Sequence, residues 1–424
     1  MKHQTLNPPK YRLIWEGIVI GVLSGLVTIF YRWLLGICEN GRGKLLSFFG
    51  KGIGWMALWF LILVVLAWVV SHLFQKEPMI SGSGIPQIEG EFHEKFRQKP
   101  LRVLLLKMLG GSLSILGGLS LGREGPSIQL GGMGGLMVSD GLHRDGEEKR
   151  FLLLCGAAAG LSAAFNAPLA GVLFAVEEIY KTISPSLLFS VMVSSVCADF
   201  LSKIFFGTKA VFSFPLEAQL PLEQYWMLLL LGVLVGVLGT VYNKSLLFTQ
   251  KQFQKIKKPF LRLLIPFLIA GVLGFCLPQV LGGGHSMVEL LMEPEFVLSF
   301  GLLLLLAKFL FSMISFGSGA PGGIFFPLLV LGAYIGILAG TPLIDGLGLS
   351  HEFLSQFAVL AMAGVFTAIV HAPLTGIILL CEMTGNFGNI LPICLVCIVS
   401  YIVTKMLGNK PIYDSLLERM IGKE

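Results

Sequence analysis

Hydropathy along the chain is continuous but irregular. Six apolar runs with few charges are long enough, or nearly so, to cross a bilayer: residues 13–35, 55–74, 226–247, 263–281, 296–316 and 391–406. Between them lie apolar pieces too short to cross, most of them bounded or broken by Gly or Pro: 111–121, 128–138, 152–165, 169–176, 324–338, 357–370 and 374–380. Helices that stop at membrane depth leave irregular backbone there, which is tolerated only where it is buried in protein or lines a cavity. The pattern predicts an all-α polytopic membrane protein with many interrupted helices.

Composition agrees. Of 424 residues, 54% are hydrophobic and only 13% charged, where a soluble domain is nearer a quarter charged. No small-residue cleavage site follows a short apolar core, so the first run is expected to stay as a spanning helix. The net charge of +6 does not point to nucleic acid, because the basic residues flank apolar runs, at 2–12, 95–107, 143–150 and 251–262. The positive-inside rule puts those segments and the N-terminus in the cytoplasm, and the stretch 203–224, with Glu217 and Glu223, outside. The seven cysteines are odd in number and mostly within apolar runs, and they read as small buried hydrophobes rather than disulfides or a metal site.

The chain repeats itself. Gly160…Asn166-Ala167-Pro168-Leu169-Ala170-Gly171 leads to Glu177 and Glu178. Gly364…His371-Ala372-Pro373-Leu374-Thr375-Gly376 leads to Glu382. Upstream, Gly122, Pro126 and Gly131 are matched by Gly323, Pro327 and Gly332. These landmarks predict an internal duplication: a first transmembrane half at 1–211, a connection at 212–224, a second half at 225–413 and a short cytoplasmic tail at 414–424. With an odd number of crossings per half, the repeats are inverted, a common plan in secondary transporters. Asn166 and His371 fall at equivalent positions and read as structural. Glu382, the partner of Glu177, reads as a buried structural acid.

Four turns carry candidate chemistry. Gly122-Arg123-Glu124-Gly125-Pro126 enters an apolar helix, so bare N–H groups and the positive helix end form an anion site with a carboxylate, Glu124, in its middle. An acid at membrane depth is expensive, and its functional reading is competition with a transported anion and carriage of a proton; the plain reading is a surface turn with Glu124 paired to Arg123. Gly82-Ser83-Gly84-Ile85-Pro86 offers a hydroxyl, or simply an N-cap serine. The turn ending Gly323-Ile324-Phe325-Phe326-Pro327 offers the amides of Ile324 and Phe325, or simply a glycine hinge. Tyr413 offers a phenolic donor, or an interfacial belt residue. Hydroxyls, amides and helix ends without Arg clamps suit a small monovalent anion held loosely enough to leave. Glu177 reads as a solvated helix end. Glu178 has no basic neighbour until Lys181 and is a candidate proton relay toward Glu124.

In this order, these turns, with the run 156–178, resemble the CLC family of chloride channels and proton-coupled chloride transporters over nearly the whole chain. The resemblance implies a CLC-type fold of many tilted, unequal-length helices in two inverted repeats. It also implies a homodimer with one anion pathway per subunit, in the cell (inner or plasma) membrane. Ser83, Tyr413 and the amides of Ile324 and Phe325 would hold chloride. Glu124 would be the external gate and Glu178 the internal proton-transfer residue, with Arg123, Gly125 and Glu177 in supporting places. An acid at Glu178 implies H+/Cl- antiport rather than the alternative, a passive voltage- or pH-gated chloride channel. The resemblance also implies a prokaryotic type without cytoplasmic nucleotide-sensing domains. Chloride is then a substrate ion, and no cofactor is expected. A membrane hydrolase built on Glu124 and Ser83 finds no support, since no His-containing triad or zinc spacing accompanies them.

Overall fold

The computed structural model describes residues 10–182, 185–212, 214–216, 220–293 and 296–422. The first half runs α1 (Lys10–Phe49), α2 (Ile53–Lys76), α3 (Ile85–Phe92), α4 (Pro100–Leu116), α5 (Glu124–Gly141), α6 (Gly146–Phe165), α7 (Pro168–Phe174) and α8 (Pro185–Phe206). A wider, π-helical turn, Ala175–Tyr180, prolongs α7. The second half runs α9 (Trp226–Gln254), α10 (Pro259–Cys276), α11 (His285–Leu290), α12 (Leu298–Gly317), α13 (Phe325–Leu347), α14 (Leu354–Val370), α15 (Pro373–Thr384) and α16 (Ile390–Met406). A last helix, α17 (Ile412–Met420), follows. Glu217, expected outside the membrane, lies outside the described residues, and Glu223 is exposed.

Eight of these helices are long and apolar enough to cross a membrane. Their outer faces carry large exposed apolar side chains, among them Trp15, Phe200 and Leu303, as a surface bathed in lipid requires. α1 is longer than the expected 13–35 run. At 40 residues it extends about 60 Å, twice the hydrocarbon thickness of about 30 Å. Its polar end stays helical because it packs on protein: Arg42 Nη1 donates to Ile115 O at 2.8 Å.

The glycine content has a packing cause. A Cβ on Gly131 of α5 would sit 2.2 Å from Gly156 O of α6, and a Cβ on Gly336 of α13 would sit 2.2 Å from Phe357 O at α14. Small residues let these backbones touch, the usual way membrane helices bind one another when lipid is as apolar as leucine.

The two halves repeat several of each other's contacts. Lys107 of α4 is wholly buried and donates to Ile80 O (2.9 Å) and Gly82 O (2.6 Å). Lys308 of α12 is equally buried and donates to Val280 O (3.0 Å) and Gly282 O (2.7 Å). Lys107 therefore does not belong to the cytoplasmic basic stretch the sequence suggested. Asn166 (φ 55°) and His371 (φ 68°), expected only to be structural, are both left-handed C-caps, of α6 and α14. Gly122 and Gly323 pair antiparallel. Equivalent segments that pair antiparallel are related by a local two-fold axis, the relation inverted repeats require.

Candidate anion pathway

Glu124 begins α5, 1% exposed, and Arg123 is its N-cap. Neither carboxylate oxygen has a hydrogen-bond partner. Arg123 is a distant companion, with Nε 3.9 Å from Glu124 Oε1 and itself without a hydrogen-bond partner. A tight Arg–Glu surface pair is therefore not what holds this acid. A Cβ on Gly122 would lie 2.3 Å from Glu124 Oε2 and 3.1 Å from Phe326 N, so the carboxylate and the start of α13 share one face of Gly122. An unsatisfied buried carboxylate is costly and calls for an explanation.

The other turns converge here. A Cβ on Gly125 would come within 2.8 Å of Ser83 Cβ, so the first and second turns are in contact. Ser83 is buried, and its Oγ accepts from Ile85 N–H at 3.3 Å. Gly84, at φ 97°, is the residue that caps α3. The Ser83 hydroxyl proton thus remains to donate. Ile324 caps α13 and Phe325 is its first residue, so their N–H groups have no partner within the helix. The Phe325 ring packs among Phe165, Phe174 and Phe366. Tyr413 is fully buried near the start of α17, with its hydroxyl unpaired. It is not a belt residue. Its phenol lies within electrostatic reach of both Glu124 and Glu178.

Glu178 lies in the π-helical turn, buried, with Oε1 unpaired. Such turns in otherwise regular helices are frequent at functional sites. Lys181 does not neutralise it directly: its Nζ pairs with Glu89 Oε1 (2.7 Å) and Asp414 Oδ1 (2.5 Å). Glu177 points elsewhere. It accepts from Leu374 N (3.1 Å), Thr375 N (2.8 Å) and Thr375 Oγ1 (2.8 Å), while Glu382 accepts from Leu169 N (3.0 Å) and Ala170 N (2.8 Å). Each acid caps the other half's helix. Glu177 is thus neither a solvated helix end nor a neighbour of the anion turns.

Above Glu124 a cavity of about 10 Å³ is lined by Glu39, Arg123, Glu124, Gly283, His285 and Phe326, among others. It has room for one water-sized body. His285 also lines an adjoining outer cavity of about 290 Å³. Lys107, Glu39 and the Glu89–Lys181–Asp414 cluster were not among the sequence candidates. The partners of Lys107 and of that cluster are dozens to hundreds of positions away, and the only local signal was a charge inside or next to an apolar run.

Fold and composition define an all-helical, multi-pass membrane protein of two inverted repeats. Residues 63–405 match the family described as "Voltage gated chloride channel". The "H(+)/Cl(-) exchange transporter ClcA" of Klebsiella pneumoniae subsp. pneumoniae is 36% identical over 428 residues, spanning 97% of this chain and 89% of the relative. That of Salmonella agona is 36% identical over 426 residues, with the same coverage. A solved structure described as a "slow cyanobacterial Cl-/H+ antiporter" superposes with a TM-score of 0.92 at 31% identity, covering 99% of this chain and 100% of that one. The chain belongs to the voltage-gated chloride channel, or CLC, family.

Proposed function

We propose that this protein exchanges chloride for protons across the cell membrane. The observation that carries the reading is the pair of buried acids with unpaired oxygens, Glu124 and Glu178, both within electrostatic reach of Tyr413. Chloride sits against the Ser83 and Tyr413 hydroxyls and the amides of Ile324 and Phe325. Ionised Glu124 takes the place of an anion beside the Phe326 amide; protonated, it has no charge to hold it there and swings out. Glu178 passes protons between the cytoplasm and Glu124. The names of the relatives support the same pair of ions.

In this reading the two repeats are residues 1–211 and 225–413, both termini are cytoplasmic and two subunits form a homodimer. Chloride and protons are the substrates, with no organic cofactor. Paired chloride and proton flux from liposomes, on the wild type and on Glu178→Gln, tests it. Wild type drives protons uphill along a chloride gradient, and Glu178→Gln moves chloride with few protons. A reversal potential set by chloride alone in the wild type overturns antiport and leaves the channel.

A further inference from the structure

Glu39 stands on α1 at the end away from the basic cluster. Near Glu16, α1 meets Arg144, whose Nη2 lies 2.8 Å from Glu16 Oε1. Glu39 is about 35 Å further along the helix axis, on the outer side if the basic end is cytoplasmic. It is half-buried, whereas Glu124 is almost wholly so, and both line the same cavity of about 10 Å³. Glu39 makes no ion pair within 4.0 Å among the described residues. Arg42, one turn on, is engaged with Ile115 O; it and Glu39 Oε1 both abut Gly282, at 3.1 and 3.4 Å from where its Cβ would be. The charged and titratable groups that face Glu39 are Cys38 and Arg42 on its own helix and, from the elements packed against it, Arg123, Glu124, His285 and Lys308.

We propose that Glu39 is the outer proton station, exchanging protons between external water and Glu124. Glu124 is almost wholly buried while Glu39, on the same cavity, is only half-buried, so a proton arriving from outside water meets Glu39 first. Glu39, reachable from outside, takes a proton from solvent and gives it to the bridging water. That water passes one of its own protons to a Glu124 oxygen. An O–H bond forms on Glu124, the one on Glu39 breaks, and Glu39 is again a carboxylate. The return step runs in reverse. Glu39 does not touch the anion, so it acts only through the proton on Glu124.

This rests on the antiport reading, and the experiment separates the two. Chloride and proton flux are measured in liposomes for wild type, Glu39→Gln, Glu39→Asp, Glu124→Gln and the double variant Glu39→Gln/Glu124→Gln, with external pH varied alone and folding checked by thermal melting. Glu39→Gln is expected to slow both fluxes together by roughly threefold or more, with the ratio of ions unchanged and the acceleration by external acid lost. Glu39→Asp recovers part of the rate. In the Glu124→Gln background, where no proton is needed, Glu39→Gln leaves chloride flux unchanged. Equal slowing in that background, or no slowing in the wild-type background, overturns the role of Glu39 while antiport stands. A wild type that moves no protons overturns both.

Discussion

Gly122 and Gly323 exchange backbone hydrogen bonds, Gly122 N–H to Gly323 O at 2.7 Å and Gly323 N–H to Gly122 O at 2.8 Å. This two-bond clasp ties the loops before α5 and α13 at equivalent points of the two repeats. It brings two helix N-termini, each with orphan N–H groups, to one place. Glu124 from one half thereby faces the Phe326 amide from the other. The acid and the amides that would hold an anion are brought together by the pseudo-symmetry itself.

The contact between Gly125 and Ser83 has no room for a methyl group, the added Cβ falling 2.8 Å from Ser83 Cβ. Gly125→Ala should force the two turns apart. Overpacking of this kind costs about 1 kcal/mol or more, roughly fivefold or more in Kd if it falls on the bound state. Calorimetric titration with chloride should show that weakening, and an unchanged affinity would detach Ser83 from the anion.

Lys107 holds the carbonyl of Gly82, next to Ser83, and Lys308 holds that of Gly282. Lys308→Met leaves the carbonyls of Val280 and Gly282 unsatisfied and Lys107→Met leaves that of Ile80, since Gly82 O keeps the Gly322 N–H, at a cost of about 1–3 kcal/mol for each orphaned carbonyl. Both variants should melt at lower temperature. Lys107→Met alone should also weaken halide binding, because only its turn carries the serine.

Glu177 and Glu382 cap helices of opposite halves through two backbone N–H groups each. Glu177→Gln and Glu382→Gln should each cost about 1.5–3 kcal/mol, the worth of a hydrogen bond to a charged group. Because both join α7 to α15, the double variant should depart from additivity. Neither should alter the ratio of protons to chloride, which separates Glu177 from Glu178. A changed ratio in Glu177→Gln would place it on the proton route after all.

Protonation removes the charge that lets Glu124 compete with chloride. Flux should therefore rise as pH falls from neutral to acidic, and Glu124→Gln, already neutral, should show a flat profile. A wild-type flux indifferent to pH would contradict the gate.

The fold was largely legible in the sequence, because Gly/Pro turns at matched spacing are local signals, and Asn166 and His371 do occupy equivalent positions, though that both are C-caps was seen only in the structure. The turns at Ser83, Glu124 and Ile324 could likewise be picked out, since a helix start announces itself within five residues. What escaped was decided by distant partners. Glu177 looked solvated because its acceptors' partners, Leu374 and Thr375, lie in the other half. Lys107 looked cytoplasmic because nothing local shows that two carbonyls enclose it. Tyr413 sits where a belt tyrosine belongs, and only the packing of α17 on the body of the protein buries it.

The central claim is that the Glu124 carboxylate and a halide occupy the same place beside the amides of α13. Anomalous diffraction from bromide-soaked crystals of the wild type and of Glu124→Gln tests it most directly. Bromide beside Ser83 and Tyr413 in both, with a further peak next to the Phe326 amide only in Glu124→Gln, is the predicted result. No bromide at Ser83 and Tyr413, or no additional peak when the acid is neutralised, would contradict it.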